Sequence, residues 1–222
     1  MTQSSPDAQR WIQETESHVR AQLLGEGSGH DWWHIERVRT NALLIAREED
    51  VDLVVVELAA LLHDIADHKF HDGDDTVGPR VARAWLESIG VDEGTIAHVC
   101  DIIATLSFKG AGTSSQMRSR EGMVVQDADR LDAIGAIGIA RTFAYGGHAN
   151  REIYNPDIPP VQHASFEEYK TNTSPTINHF HEKLLLLKDR MNTRTARRIA
   201  EGRHRFMETF LDQFHREWNG DA

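Results

Sequence analysis

Three short stretches of this chain bring together side chains able to hold a divalent metal ion. His63-Asp64 follows Val54 to Leu62, a run apolar on nearly all sides, which marks a helix buried against several neighbours. An ionisable pair therefore sits at or near the core. Burying a carboxylate without a partner is costly, and a negative charge near a helix C-terminus opposes the macrodipole; a bound cation relieves both penalties. His34 lies in the first turn of a helix starting at Asp31, whose carboxylate can cap the free N–H groups, and it shares an inward face with Val38 and Ile45. The third stretch, Val124 to Ile134, sets Asp127, Asp129 and Asp132 between two apolar segments; Asp129 and Asp132 share a face while Asp127 points elsewhere. Two imidazoles and two carboxylates drawn from three helices suit a borderline divalent ion such as Mn²⁺, Fe²⁺, Co²⁺, Ni²⁺ or Zn²⁺. An ion that keeps open positions lowers the pKa of bound water and polarises a phosphoryl oxygen, which is the chemistry of phosphate hydrolysis.

The elements that must position these residues are helices. Apolar residues recur at helical spacing almost everywhere, and alternating β-branched runs bounded by tight turns are scarce, so the chain reads as all-α. Helices are expected over 9–24, 31–49, 52–66, 76–89, 92–106, 119–131, 133–145, 175–188 and 195–218, a compact bundle of about nine helices. Glycine and proline clusters punctuate them, and no stretch reads as a linker, so residues 1–222 are expected to form one domain. The segment 146–175 is the longest without a clear period and is expected to be a variable loop or lid.

His34, the adjacent His63-Asp64 and Asp129 within Ala128-Asp129-Arg130-Leu131 resemble the pattern of the HD-domain metal-dependent phosphohydrolase superfamily, in the same order along the chain. Further stretches resemble a bacterial subfamily of small HD hydrolases: Leu62 to Asp67, Leu106 to Gly110, Asp127 to Ala136, and His179-Phe180 through Lys183-Leu184-Leu185. Together they cover roughly residues 10–215. The resemblance implies an HD-domain fold, metal ligands at His34, His63, Asp64 and Asp129, and a further acid at Asp67. Asp67 lies one helical turn beyond Asp64, placed to orient or deprotonate a water or to protonate the leaving group. Some members of that subfamily are manganese-dependent nucleoside triphosphate pyrophosphohydrolases, so the resemblance implies this activity with one divalent ion, Mn²⁺ first, with Fe²⁺, Ni²⁺, Co²⁺, Zn²⁺ and Mg²⁺ as alternatives. Hydrolases of nucleoside monophosphates, cyclic nucleotides and guanosine tetraphosphate are similar at the metal site and stand as alternative readings. A non-catalytic metal or ligand sensor, in which the site is retained but closed, is the alternative of another class.

A phosphate substrate needs cations nearby, and Lys109, Arg130 and Lys183 are the candidates, Lys109 foremost. Asp132 reads as a helix-capping or ion-paired acid rather than a ligand. His68 and His71 read as part of a solvated loop, whose acids and glycine do not fall at EF-hand positions. His179 and His181, two apart on a helix, point to different sides, so at most one faces the site. Trp32 and Trp33 read as core or rim packing.

Composition limits the partners. A formal net charge of −11 argues against a nucleic-acid polymer and leaves a small phosphorylated compound, a nucleotide first. No apolar run is long enough to cross a bilayer, and Met1 to Asp7 lacks the features of a secretory signal, so a cytoplasmic location is expected. The single cysteine, Cys100, lies among apolar residues and suits a reducing compartment. A homodimer is compatible with the sequence, which identifies no self-complementary patch.

Overall fold

The computed structural model describes residues 5–25, 31–66, 76–106, 117–161 and 174–221. Nine α-helices occur among them: α1 Pro6–Leu23, α2 Trp32–Ala46, α3 Leu53–Leu62, α4 Val77–Ser88, α5 Glu93–Leu106, α6 Arg120–Asp132, α7 Gly135–His148, α8 Asn178–Glu182 and α9 Arg194–Asn219. There is no strand among the described residues, so the all-α expectation holds.

Helix boundaries follow local chemistry. At α1, the Ser5 hydroxyl accepts from Ala8 N–H at 3.2 Å and Pro6 occupies the first helical position, where its missing N–H costs nothing. The helix therefore starts a few residues before the expected boundary. Asp31 caps α2 as the sequence implies, accepting from His34 N–H at 2.9 Å. Asp52 caps α3 through Val54 N–H, also at 2.9 Å, and Thr193 caps α9 through Ala196 N–H at 3.2 Å. Between α6 and α7 the chain turns at Gly135, where φ is +77°; an added Cβ would also lie 3.0 Å from the Arg203 side chain, so a larger residue is strained twice over.

Two compact units partition the described residues, one running through Ala128 and the other from Asp129 onward. In the first, α3 is the hub. Seven of its ten residues are buried, and it packs on α1, α2 and α5. Arg39 on α2 ties three helices together, with its guanidinium 2.9 Å from Glu16 on α1 and 3.7 Å from Glu57 on α3. Burial pushes the Glu57 carboxyl above its usual range against the pull of that arginine. Helix α6 enters this unit with Val124, Val125 and Ala128 fully covered.

In the second unit, α7 packs along α9, and the Phe143, Phe180 and Phe210 rings meet at centroid distances of 5.8 to 6.1 Å. The helix expected over 175–188 is broken here. Regular helix ends at Glu182, Lys183 leaves helical geometry at φ −141° and ψ −57°, and two single 3₁₀ turns follow at Leu184–Leu186 and Lys188–Arg190. Phe180, Leu184 and Leu187 are all buried. The tighter turns keep Leu184 and Leu187, three apart, on one side, where a 3₁₀ repeat stacks them.

Candidate metal centre

His34 is carried by the first turn of α2 and His63 stands at the C-terminal cap of α3, so capping chemistry at one helix end and termination of the other bring the two rings together edge-on, at an interplanar angle of 68°. Both are buried, and their Nε2 atoms lie 3.2 Å apart. His63 Nδ1–H donates to the Ala60 carbonyl at 2.9 Å, which leaves Nε2 as the lone-pair nitrogen. The sequence reading does not single out Ala60, although its position one turn before His63 is the signal for such a contact. Asp64 sends Oδ2 to within 3.4 Å of both Nε2 atoms.

Asp129 lies on α6, the helix that the first unit begins, directly after its buried Ala128. One ligand atom from each of His34, His63 and Asp129 falls within 4.8 Å of the others. Side chains from three stretches far apart in sequence thus meet around the two imidazoles.

The donor set fits a divalent ion. Two nitrogens facing each other at 3.2 Å need a proton or a cation between them, and the Nδ1 proton of His63 is committed to a carbonyl. For bonds of about 2.1 Å, adjacent ligands of an octahedral ion are separated by about 3.0 Å and those of a tetrahedral ion by about 3.4 Å. The observed spacing of 3.2 Å lies in that interval. Two imidazoles with two carboxylates also match the preference of borderline transition metals rather than of calcium.

The remaining candidates are distributed differently. Asp67 and Lys109 lie outside the described residues, as do His68 and His71. Arg130 is buried, and its guanidinium donates to the Arg190 carbonyl, so the structure gives it a part in holding the 3₁₀ turns. Asp132 pairs with Arg141 at 2.7 Å, in keeping with its reading as an ion-paired acid. Lys183 stands at the end of α8, in the second unit. Trp32 is buried beside the cap of α2, whereas Trp33 is 54% exposed. His179 is held far below its usual basicity, to a pKa of about 3, first by burial and then by the charges of Lys183 and Arg151. Arg151 is absent from the sequence reading, because it sits in the segment without periodicity and only the folded chain brings it to His179.

Among the described residues no helix is long and apolar enough to cross a membrane.

Comparison with known proteins accords with this arrangement. The HD domain family model matches residues 32–134, the stretch that carries all four candidate ligands. YpgQ of Bacillus subtilis is 40% identical over 205 residues, covering 91% of each chain. A solved structure from Lactobacillus plantarum superposes with a TM-score of 0.83 at 38% identity, over 96% of this chain and 98% of that one. An HD-superfamily hydrolase from Bacillus thuringiensis is 45% identical with a TM-score of 0.75, again over 96% and 98%. The structure of B. subtilis YpgQ in complex with ADP superposes with a TM-score of 0.74 at 37% identity, over 95% of this chain and all of that one. With the ligand pattern, the helical fold and these relatives in agreement, the chain belongs to the HD-domain superfamily of metal-dependent phosphohydrolases.

Proposed function

We propose that the protein is a nucleoside triphosphate pyrophosphohydrolase that holds one Mn²⁺ through His34, His63, Asp64 and Asp129. The observation that carries the ligand assignment is the convergence of His34 and His63 Nε2, 3.2 Å apart, on Asp64 Oδ2. The ADP bound to B. subtilis YpgQ supports a nucleotide as the substrate class.

When bound, the ion supplies Lewis acidity, stabilising negative charge on phosphoryl oxygens and making water a better nucleophile. The protein's own residues do the rest. Ala60 fixes the tautomer of His63, so that the ring presents a lone pair rather than a proton. Asp31, by capping α2 at His34, fixes the backbone from which the second imidazole projects. Asp67, three residues beyond Asp64 in the chain, takes the proton from the attacking water. Attack at the α-phosphorus forms one P–O bond and breaks the bridge to the β-phosphorus, releasing pyrophosphate and a nucleoside monophosphate. Lys109 and Lys183 offset the charge of the departing phosphates.

The test uses metal-stripped protein with Mn²⁺, Mg²⁺, Ni²⁺ or Zn²⁺ restored singly and a panel of nucleoside mono-, di- and triphosphates. Pyrophosphate release from triphosphates that depends on the ion and disappears in Asp64→Ala is the expected result. Orthophosphate as the only product would replace this reading with a phosphomonoesterase, and a metal-loaded protein without turnover on any member would remove the nucleotide assignment.

A further inference from the structure

Helix α9 is held to its unit by one face, on which Ala196, Ala200, Met207 and Leu211 are buried. Its outer face carries six exposed charged residues, Arg194, Arg198, Glu201, Arg205, Glu208 and Asp212, at alternating spacings of four and three. That spacing keeps them in a single stripe, about 27 Å long at the rise of an α-helix. The signs run plus, plus, minus, plus, minus, minus, so the stripe is the opposite of its own reverse. Its centre is residue 203: Glu201 and Arg205 lie two positions either side of it, Arg198 and Glu208 five, and Arg194 and Asp212 nine, and each pair has opposite signs. Arg194, Glu201, Arg205 and Asp212 make no ion pair among the described residues. Glu208 meets His204 of its own helix, Oε1 to Nε2 at 3.2 Å, and Arg198 also has a contact within its own chain.

Residue 203 itself is turned toward the rest of the unit. The Arg203 guanidinium donates to the Leu131 carbonyl, and its side chain lies against Gly135. The residue exposed at the centre of the stripe is Gly202, where an added Cβ would meet nothing within 4 Å. Glycine weakens a helix interior relative to alanine. The protomer gives no reason for one here, since Gly202 keeps ordinary helical geometry and has room for a side chain. A second helix crossing at this point does give a reason, because two backbones approach most closely where no Cβ intervenes. Beside the crossing, the Phe206 ring is 53% exposed and offers apolar surface to cover. Two copies of α9 laid antiparallel about a two-fold axis put each positive residue of the stripe opposite a negative one. Laid parallel, they put like charges together, so the charge pattern selects one orientation.

We propose that the outer face of α9 is a self-association surface on which a second copy of this chain docks antiparallel, with Arg194 facing the partner's Asp212 and Glu201 facing the partner's Arg205. The contact is isologous and closes at two copies. Sedimentation equilibrium of the full chain over a range of concentrations is expected to show a monomer–dimer equilibrium that moves toward monomer as salt is raised, since exposed ion pairs are screened. Arg194→Glu with Arg205→Glu makes the stripe mainly acidic, and Glu201→Arg with Asp212→Arg makes it mainly basic. Each double variant turns four attractive contacts across the axis into repulsive ones and is expected to weaken dimerisation about tenfold or more. Mixed in equal amounts, the two are expected to recover a dimer containing one copy of each. Gly202→Trp leaves every charge in place and fills space that is open in the protomer, and it is expected to be monomeric. If a charge variant loses its helical circular dichroism, Gly202→Trp and the salt dependence of the wild type decide. A wild type that stays monomeric throughout, a dimer that Gly202→Trp or the folded charge variants leave unchanged, folded double variants that stay monomeric when mixed, or species larger than a dimer would overturn the proposal.

Discussion

At the level of single residues the metal centre depends on direction as much as on identity. Ala60 O and His63 Nδ1–H set which nitrogen carries the lone pair, so replacing His63 removes a candidate ligand whose orientation the helix end has already fixed. His63→Ala is expected to lower kcat/KM by more than the ~10–100-fold that the loss of an outer-shell partner costs. Metal content measured beside turnover checks that the loss follows the ion. His179 makes a separate prediction. In the unfolded chain a histidine titrates near 6.5, whereas the folded protein refuses the proton until about pH 3. Below 6.5 the unfolded state therefore binds more protons, so stability falls with falling pH across that window and is unaffected above it. The slope from this residue is at most about 1.4 kcal/mol per pH unit. Urea unfolding at several pH values should show a shallower acid slope in His179→Gln than in the wild type, and parallel slopes would refute the assignment.

Among the elements, α6 is the most demanding. Its Gln126, Asp127, Arg130 and Asp132 are all buried, and such a helix is tolerated only if each polar group is satisfied. Asp132 is met by Arg141 on α7 at 2.7 Å, and Arg203 on α9 also lies close enough for its charge to be felt. Arg141→Ala removes the nearer cation from a buried carboxylate. The cost is expected at the lower end of the ~3–5 kcal/mol for breaking a buried pair, because Arg203 remains. A thermal melt lowered by about 6 °C or more is the readout, at ~2–4 °C per kcal/mol for a chain of this size. The caps make a smaller demand. Asp31→Ala should cost about 1 kcal/mol in stability and, since the same carboxylate fixes His34 N–H, should weaken metal affinity as well. A stability loss without a change in metal affinity would show that the α2 cap and the metal centre are uncoupled.

Across the whole molecule, charge and metal are linked. Residues up to 128 carry 22 acids against 11 basic residues, while those from 129 onward carry 13 of each. The four candidate ligands include two carboxylates, Asp64 and Asp129, so a divalent ion held by them should stabilise the native state on binding. At an ion concentration a hundred times Kd the gain is about 2.7 kcal/mol. Adding Mn²⁺ to stripped protein should raise the melting temperature by several degrees, and chelation should reverse the rise. His63→Ala should abolish the rise; a rise that persists in the variant would place the stabilising ion elsewhere.

Much of this is legible without coordinates, because helical periodicity and helix caps are local. Asp31, Asp52 and the buried run of α3 announce their helices within a few residues, and the order His34, His63-Asp64, Asp129 points to the family and nominates candidate ligands. Other features require tertiary contacts. The break after Glu182 goes unseen because an unbroken helix and a helix followed by 3₁₀ turns carry the same apolar pattern, and packing of Leu184 and Leu187 chooses between them. Arg130 reads from the chain as a candidate for binding phosphate, and its hydrogen bond to the Arg190 carbonyl, sixty residues away, shows only in the folded chain. Arg151 has no local signal and acquires its neighbours only when Thr176 and Ile177 pair with the chain beyond it. The sequence by itself determined most of the helices, since periodicity and caps are local, and nominated the candidate metal ligands through residue chemistry and family resemblance. Only the tertiary structure decided which charged side chains face one another, because that depends on pairings between segments distant in the chain.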